Sequence, residues 1–253
     1  MKTQRILSID TNTKTVKGQK QGYLTGIIYL APYTLGGTNL CPMAVKANCF
    51  NACLYKAGRG VFNSVQTARL KKTKFFHDDR QGFMSQLVKD IEALQRKANK
   101  LGLIPLVRLN GTSDIRFENI KFDYEFMHGK VRAITIFDLF PEIQFYDYTK
   151  IPNRKNIPKN YDLTFSYSGA LTYQKYAMEA LNNGLRVAVV FRDKNSIPRF
   201  FMGKVCIDGD NNDIRHLEPQ NIVVALYAKG KARTDVSGFV VDTKLRINLK
   251  LVA

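Results

Sequence analysis

Tryptophan is absent from this 253-residue chain, and acidic side chains are scarce, 21 against 39 lysines and arginines. No apolar run approaches the roughly 18 residues of a membrane-spanning helix, which excludes a helical membrane protein and predicts a chain that makes no membrane contact. The N-terminal residues Met1 to Arg5 lead into a short strand-like segment rather than a long apolar core. A secretory leader is therefore not expected, the compartment is expected to be reducing, and disulfides are disfavoured there. There are no internal repeats and no low-complexity linker, so one α/β domain is expected over 1–253, with 1–22 as an N-terminal arm or hairpin. The missing tryptophan is offset by 16 phenylalanines and 12 tyrosines.

Only four cysteines are present, yet three stand within thirteen residues, at Cys41, Cys49 and Cys53. Clustered thiolates in a short loop are what a soft metal centre needs. A disulfide would use two of the three and leave an odd thiol. Structural zinc would want a fourth ligand, often histidine in paired spacing, and the closest histidine in sequence is His77. An iron–sulfur cluster, a zinc ion and a metal-free loop all remain open on spacing alone. Cys206 lies far away between Val205 and Ile207 and reads as a thiol packed like a small hydrophobe.

The formal net charge is +18. Such an imbalance favours a polyanionic partner, most simply nucleic acid. It is uneven: residues 1–100 hold 17 basic and 5 acidic side chains. The densest run contains Arg69, Lys71, Lys72 and Lys74, the candidate phosphate contacts, with Tyr55, Phe75 and Phe76 as candidates to stack on bases. The same run also fits a solvated helix face.

Hydrophobic spacing predicts strands over 23–31, 104–109, 143–148, 161–166, 186–191, 204–207 and 222–227. It predicts helices over 62–75, 82–101, 133–140 and 173–183. Alternating strands and helices argue for a mostly parallel sheet covered by helices. Small, polar and charged residues gather where these strands end: Asn110, Gly111, Thr112, Ser113 and Asp114; Asp147 and Lys150; Ser166; Asp208, Asp210, Asp213 and Arg215. In a parallel sheet those ends lie on one face, where sites are built. Each motif alone is also common turn chemistry.

A first strand followed by a three-cysteine loop and then an α/β barrel resembles the radical S-adenosylmethionine (SAM) superfamily. The ordered set of Cys41-Pro42, Cys49, Cys53-Leu54-Tyr55-Lys56-Ala57-Gly58-Arg59, then Arg108 to Asp114, then Phe140-Pro141 and Phe145 to Lys150 resembles bacteriophage proteins of similar motif order over about 23–230. The resemblance implies a partial (β/α) barrel with a curved, mostly parallel sheet. It also implies a [4Fe-4S] cluster on Cys41, Cys49 and Cys53, with one iron open to SAM. In that picture Asn110, Gly111, Thr112, Ser113, Asp114, Asp147 and Ser166 line the cofactor side, while Lys150, Asp208, Asp210 and Arg215 position or protonate substrate. The spacing here is C-x7-C-x3-C where that superfamily has C-x3-C-x2-C, and its Gly-Gly-Glu is absent. The implied setting is the cytoplasm of an infected bacterial host. Two functions follow: an iron–sulfur enzyme acting on or near nucleic acid, or a non-enzymatic, metal-stapled nucleic-acid-binding protein of phage replication or host takeover.

Overall fold

A computed structural model describes residues 5–9, 13–53, 55, 57–127, 129–211 and 213–243. The contacts divide the chain into two compact units. The first holds the residues up to Cys41, Asn63–Asp147 and Lys155–Asp162. The second holds Pro42–Phe62, Tyr148–Arg154 and the chain from Leu163 onward. These segments interleave in sequence, so no linker marks a boundary.

In the first unit, β1 (Leu7–Ile9) pairs antiparallel with β2 (Tyr23–Ile28), and β2 pairs parallel with β3 (Ile104–Arg108). β3 pairs parallel with β6 (Gln144–Thr149). Residues 1–22 thus contain strand β1 and a helix, α1 (Thr13–Gln19), where an arm or hairpin was expected. The strand β1 is pinned by Asp90, whose carboxylate accepts the backbone N–H groups of Ile6 (2.5 Å) and Leu7 (3.0 Å). Helix α2 (Asn63–Asp78) precedes α3 (Arg80–Leu101). The buried side chains of α3, Phe83, Met84, Leu87, Val88, Ile91, Leu94 and Ala98, recur every three or four residues and form one apolar stripe. Asp79 caps its start by accepting Gly82 N–H, and Gly102, at φ +65°, ends it in the left-handed region.

Residues 133–140, expected to be helical, divide instead. β4 (Phe122–Glu125) and β5 (Val131–Ile134) form a separate antiparallel pair, followed by one turn of helix, α4 (Ile136–Leu139). β-branched Val131 and Ile134 take the strand, and Thr135 caps the turn by accepting Asp138 N–H.

In the second unit, β7 (Tyr161–Ser166), β8 (Val187–Phe191), β11 (Val223–Tyr227) and β10 (Lys204–Asp208) run parallel, and β9 (Phe200–Phe201) closes the order antiparallel to β10. Helix α5 (Gln174–Asn182) lies between β7 and β8 in sequence. Phe165, Tyr173, Ala177, Val187, Val189, Phe191 and Val223 form its core. The fold is mixed α/β with a mostly parallel sheet. Each unit's strand order ends on an antiparallel edge strand, β1 or β9, so neither set of described strands closes on itself. Among the described residues, no helix is long and apolar enough to cross a membrane.

Candidate functional site

In the first unit the candidate residues collect after the carboxyl ends of β2 and β3. Gly111 follows β3 and donates its N–H to Ile28 O (3.0 Å). A Cβ there would stand 2.6 Å from both Ile28 O and Ile27 Cγ2, so only glycine lets the loop lie this close to β2. Thr112 Oγ1 donates to Leu30 O (2.5 Å), and Asp114 N–H to Leu40 O (2.8 Å). Asn110 is buried and fully occupied. Its amide donates to Ile115 O (2.9 Å) and Tyr161 Oη (3.3 Å), and its Oδ1 accepts from Ser113 Oγ (2.9 Å) and Ile115 N–H (2.8 Å). The side chains of Asn110, Thr112 and Ser113 therefore build the loop rather than face a ligand.

Beneath this loop Asp147 is 0% exposed. Its carboxylate accepts Leu109 N–H, Asn110 N–H and Tyr161 O–H, each at 3.0 Å, and Arg108 Nε stands 3.7 Å away. Burial pushes its acid up to about 6, against the opposing pull of Arg108 and these hydrogen bonds. Sequence reasoning named Asp147 but missed Arg108 and Tyr161 as its partners. A sequence carries no direct sign of a pair separated by 39 or 14 positions.

Cys41 is held by the same loop. The backbone N–H of Tyr33 donates to Cys41 Sγ (3.4 Å), and the thiol lies 3.8 Å from Thr112 O. Leu40 N–H returns to Tyr33 O (3.1 Å), closing a compact turn around the sulfur.

In the second unit Cys49 sits on a turn, its N–H donating to Ala44 O (3.2 Å), and Cys53 N–H donates to Phe50 O (3.4 Å). All four cysteines are free thiols of intermediate exposure. Burial pushes the Cys206 thiol up to about 11, which makes it a poor source of a thiolate. Among the described residues, no group of three or more His, Cys, Asp or Glu side chains is assembled to hold a metal ion. The three thiols that are close in sequence have donor chemistry that suits a soft metal.

The structure brings Lys150 and Ser166 together. Lys150 Nζ donates to Ser166 O (3.0 Å) and Ser166 Oγ (3.1 Å) and lies 4.8 Å from the Phe239 ring centroid. Of the aspartates at the end of β10 and beyond, Asp210 and Asp213 are committed to partners, and Asp208 is exposed. Asp208 Oδ1 accepts Asp210 N–H (2.7 Å), and Asp210 binds Lys229 and accepts Tyr227 N–H (3.1 Å). Asp213 is buried beside Tyr148 Oη (3.2 Å) and Arg215 Nε (3.8 Å). Gly209 is required between them, since a Cβ would meet Val224 at 2.4 Å. Arg215 is 0% exposed, bound to Glu218 and to Gly209 O (2.6 Å). The guanidinium is enclosed by these partners.

The basic run on α2 divides. Lys71 and Lys74 are exposed, and Lys74 pairs with Asp78 (2.5 Å). Arg69 and Lys72 are buried, with Arg69 over the Tyr29 ring at 5.2 Å and Lys72 Nζ donating to Ile6 O (2.8 Å). Phe76 and Tyr55 are buried as well, so neither is presented for base stacking. Lys72→Glu is expected to destabilise by about 3–5 kcal/mol, because it puts an unpaired carboxylate where an ammonium held Ile6. Lys71→Glu is expected to stay within about 0.5 kcal/mol. Urea titration of the two variants measures the contrast, and equal losses would refute this division.

Residues 4–243 match the gene product 88 family. No curated protein matches the chain, and no solved structure matches it. With nearly its whole length covered, the chain belongs to the gene product 88 family.

Proposed function

We propose that the chain is a bacteriophage-encoded iron–sulfur protein with a radical SAM-like partial barrel, acting on or near nucleic acid in the cytoplasm of the infected bacterial host. A phage setting accords with the family's description as a gene product. The observation that carries the cluster reading is the Tyr33 N–H aimed at Cys41 Sγ. Hydrogen bonds to ligand sulfurs tune iron–sulfur centres. Cys49 and Cys53 supply the other two thiolates. A [4Fe-4S] cluster would bring one-electron chemistry and an iron open to a further ligand, SAM included. Since Asn110, Thr112 and Ser113 are committed to their own loop, a ligand there would meet main-chain groups. Asp147 holds that loop in place from below.

The non-enzymatic reading, a metal-stapled nucleic-acid-binding protein, draws support from the internal commitments of Asp210 and Arg215. Bound SAM would favour the enzyme, and binding to single strands without turnover the alternative.

Protein purified anaerobically is expected to be brown and to hold stoichiometric iron and sulfide. Cys41→Ser, Cys49→Ser or Cys53→Ser is expected to bleach it, and Cys206→Ser to leave it coloured. Colourless wild-type protein carrying one tightly held zinc would sink the cluster.

A further inference from the structure

Within the second unit, the segment Pro42–Phe62 that carries Cys49 and Cys53 is bordered on two sides. On one side Ser168 Oγ donates to Ala47 O and Thr172 Oγ1 to Lys46 O, both at 2.7 Å. On the other, Asn48 Nδ2 donates to Ser237 O (3.0 Å) and Ser237 Oγ to Asn48 O (3.1 Å), while Ala52 packs with Ala228 and Ala232.

Both borders carry basic side chains that form no ion pair among the described residues, Asp235 being turned to Ser237 and Val240 instead. Lys46 Nζ donates to Tyr176 Oη (3.0 Å), and the Lys175 ammonium lies 5.0 Å from the same ring centroid. Neither lysine has a carboxylate partner among the described residues. Across the segment, Lys231 and Arg233 are exposed and likewise form no ion pair there. Their neighbours differ: Lys229 is bound to Asp210, and Arg192 lies 3.5 Å from Asp242. Because Tyr176 Oη accepts from Lys46, its own O–H is left to donate. The nearby ammonium groups hold that phenol below its ordinary pKa, chiefly through the Lys46 hydrogen bond. Two ammoniums and one phenol O–H thus converge with no carboxylate paired to them among the described residues, which is a complement to a phosphate. Beside them stand exposed aliphatic side chains: Val45, Leu171 (84% exposed) and Val236 (97% exposed). Cations interspersed with apolar contacts match phosphates interspersed with unstacked bases. A duplex would present phosphates alone.

We propose that Lys46, Lys175 and Tyr176, with Lys231 and Arg233 across the cysteine segment, form the contact surface for single-stranded nucleic acid. The inference rests on the nucleic-acid reading above and gives it a place other than α2. An anionic membrane fits less well, since the aliphatic residues come from three separate segments rather than from one helix face.

The test is fluorescence anisotropy of the full-length protein with labelled oligothymidylate over a salt series. Lys46→Gln with Lys175→Gln is expected to flatten the log–log salt dependence by roughly 1.4, about 0.7 for each lost contact to a single strand. Lys231→Gln with Arg233→Gln is expected to do the same. Tyr176→Phe, which keeps the ring and removes the donor, is expected to weaken binding several-fold. Lys71→Gln with Lys74→Gln should change little, and iron and sulfide should be retained throughout. If binding is lost with the Lys71 and Lys74 variant and unchanged in the Lys46 and Lys175 and the Lys231 and Arg233 variants, this contact surface is overturned while the nucleic-acid reading stands. Equal affinity for the duplex, or tighter binding to phosphatidylserine vesicles than to the oligonucleotide, overturns it too. If the wild-type protein binds no oligonucleotide in low salt, both readings fall.

Discussion

Asp147→Ala is expected to destabilise the protein by about 3–5 kcal/mol, the usual cost of removing one member of a buried ion pair. The change strips Leu109 N–H, Asn110 N–H and Tyr161 O–H of their acceptor and leaves the buried Arg108 without its carboxylate. The consequence reaches the cysteine loop, because Thr112 and Asp114 hold Leu30 and Leu40 around Cys41. Faster modification of Cys41 by a thiol reagent should accompany the loss of stability. Asp147→Asn separates charge from shape. Burial raises the Asp147 acid from 3.8 to about 6, so the folded protein holds the proton more tightly than the unfolded chain. Wild-type stability relative to Asp147→Asn is then greatest below pH 3.8 and falls as pH rises through about 6. The total change is about 3 kcal/mol, since each pH unit between those two values carries roughly 1.4 kcal/mol. Urea titrations of the two proteins from about pH 4 to pH 7 read this difference directly. A difference that stays flat over that range would show that Asp147 is not the buried, proton-holding group described.

Arg215→Met is expected to cost a similar amount, about 3–5 kcal/mol, and to leave oligonucleotide affinity per folded molecule unchanged. Arg215 is 0% exposed and joins Glu218, Asp213 and Gly209 O. Methionine fills much of the volume but leaves Glu218 and Asp213 without their cation. The turn after β10 is held by that guanidinium, so the change acts on folding rather than on a reacting group. A stable Arg215→Met protein that had lost binding would return Arg215 to the substrate-facing role its place after β10 implied.

Much of the secondary structure is legible in the chain, and the reasons are local. The apolar stripe of α3 and its closing Gly102, and the apolar runs of β2, β3, β8 and β11, depend on neighbours within a few residues. The polar groups after parallel strands are equally legible, and the loops at Asn110 and Asp208 stand there as expected. What those groups do is less legible. Asn110, Asp210 and Arg215 have the composition of site residues, yet each is taken up by partners in its own unit. Turn-building and ligand-binding use the same side chains.

The sequence by itself determined the order and kind of most elements, the parallel α/β class, and the crowding of three thiols after the first parallel strand, because periodicity, caps and spacing are properties of short stretches. Only the tertiary structure decided that Lys72 and Arg69 are buried while Lys71 and Lys74 are not. A long cationic side chain takes its environment from the surface opposite its helix, and here Lys72 meets Ile6, 66 residues away. The same is true of Asp147, whose three donors come from segments remote in sequence, and of the two units, each assembled from interleaved pieces. The bases bordering the Cys49 segment that form no ion pair among the described residues also become visible only in the fold, because whether a lysine is neutralised depends on which carboxylates the chain brings within reach.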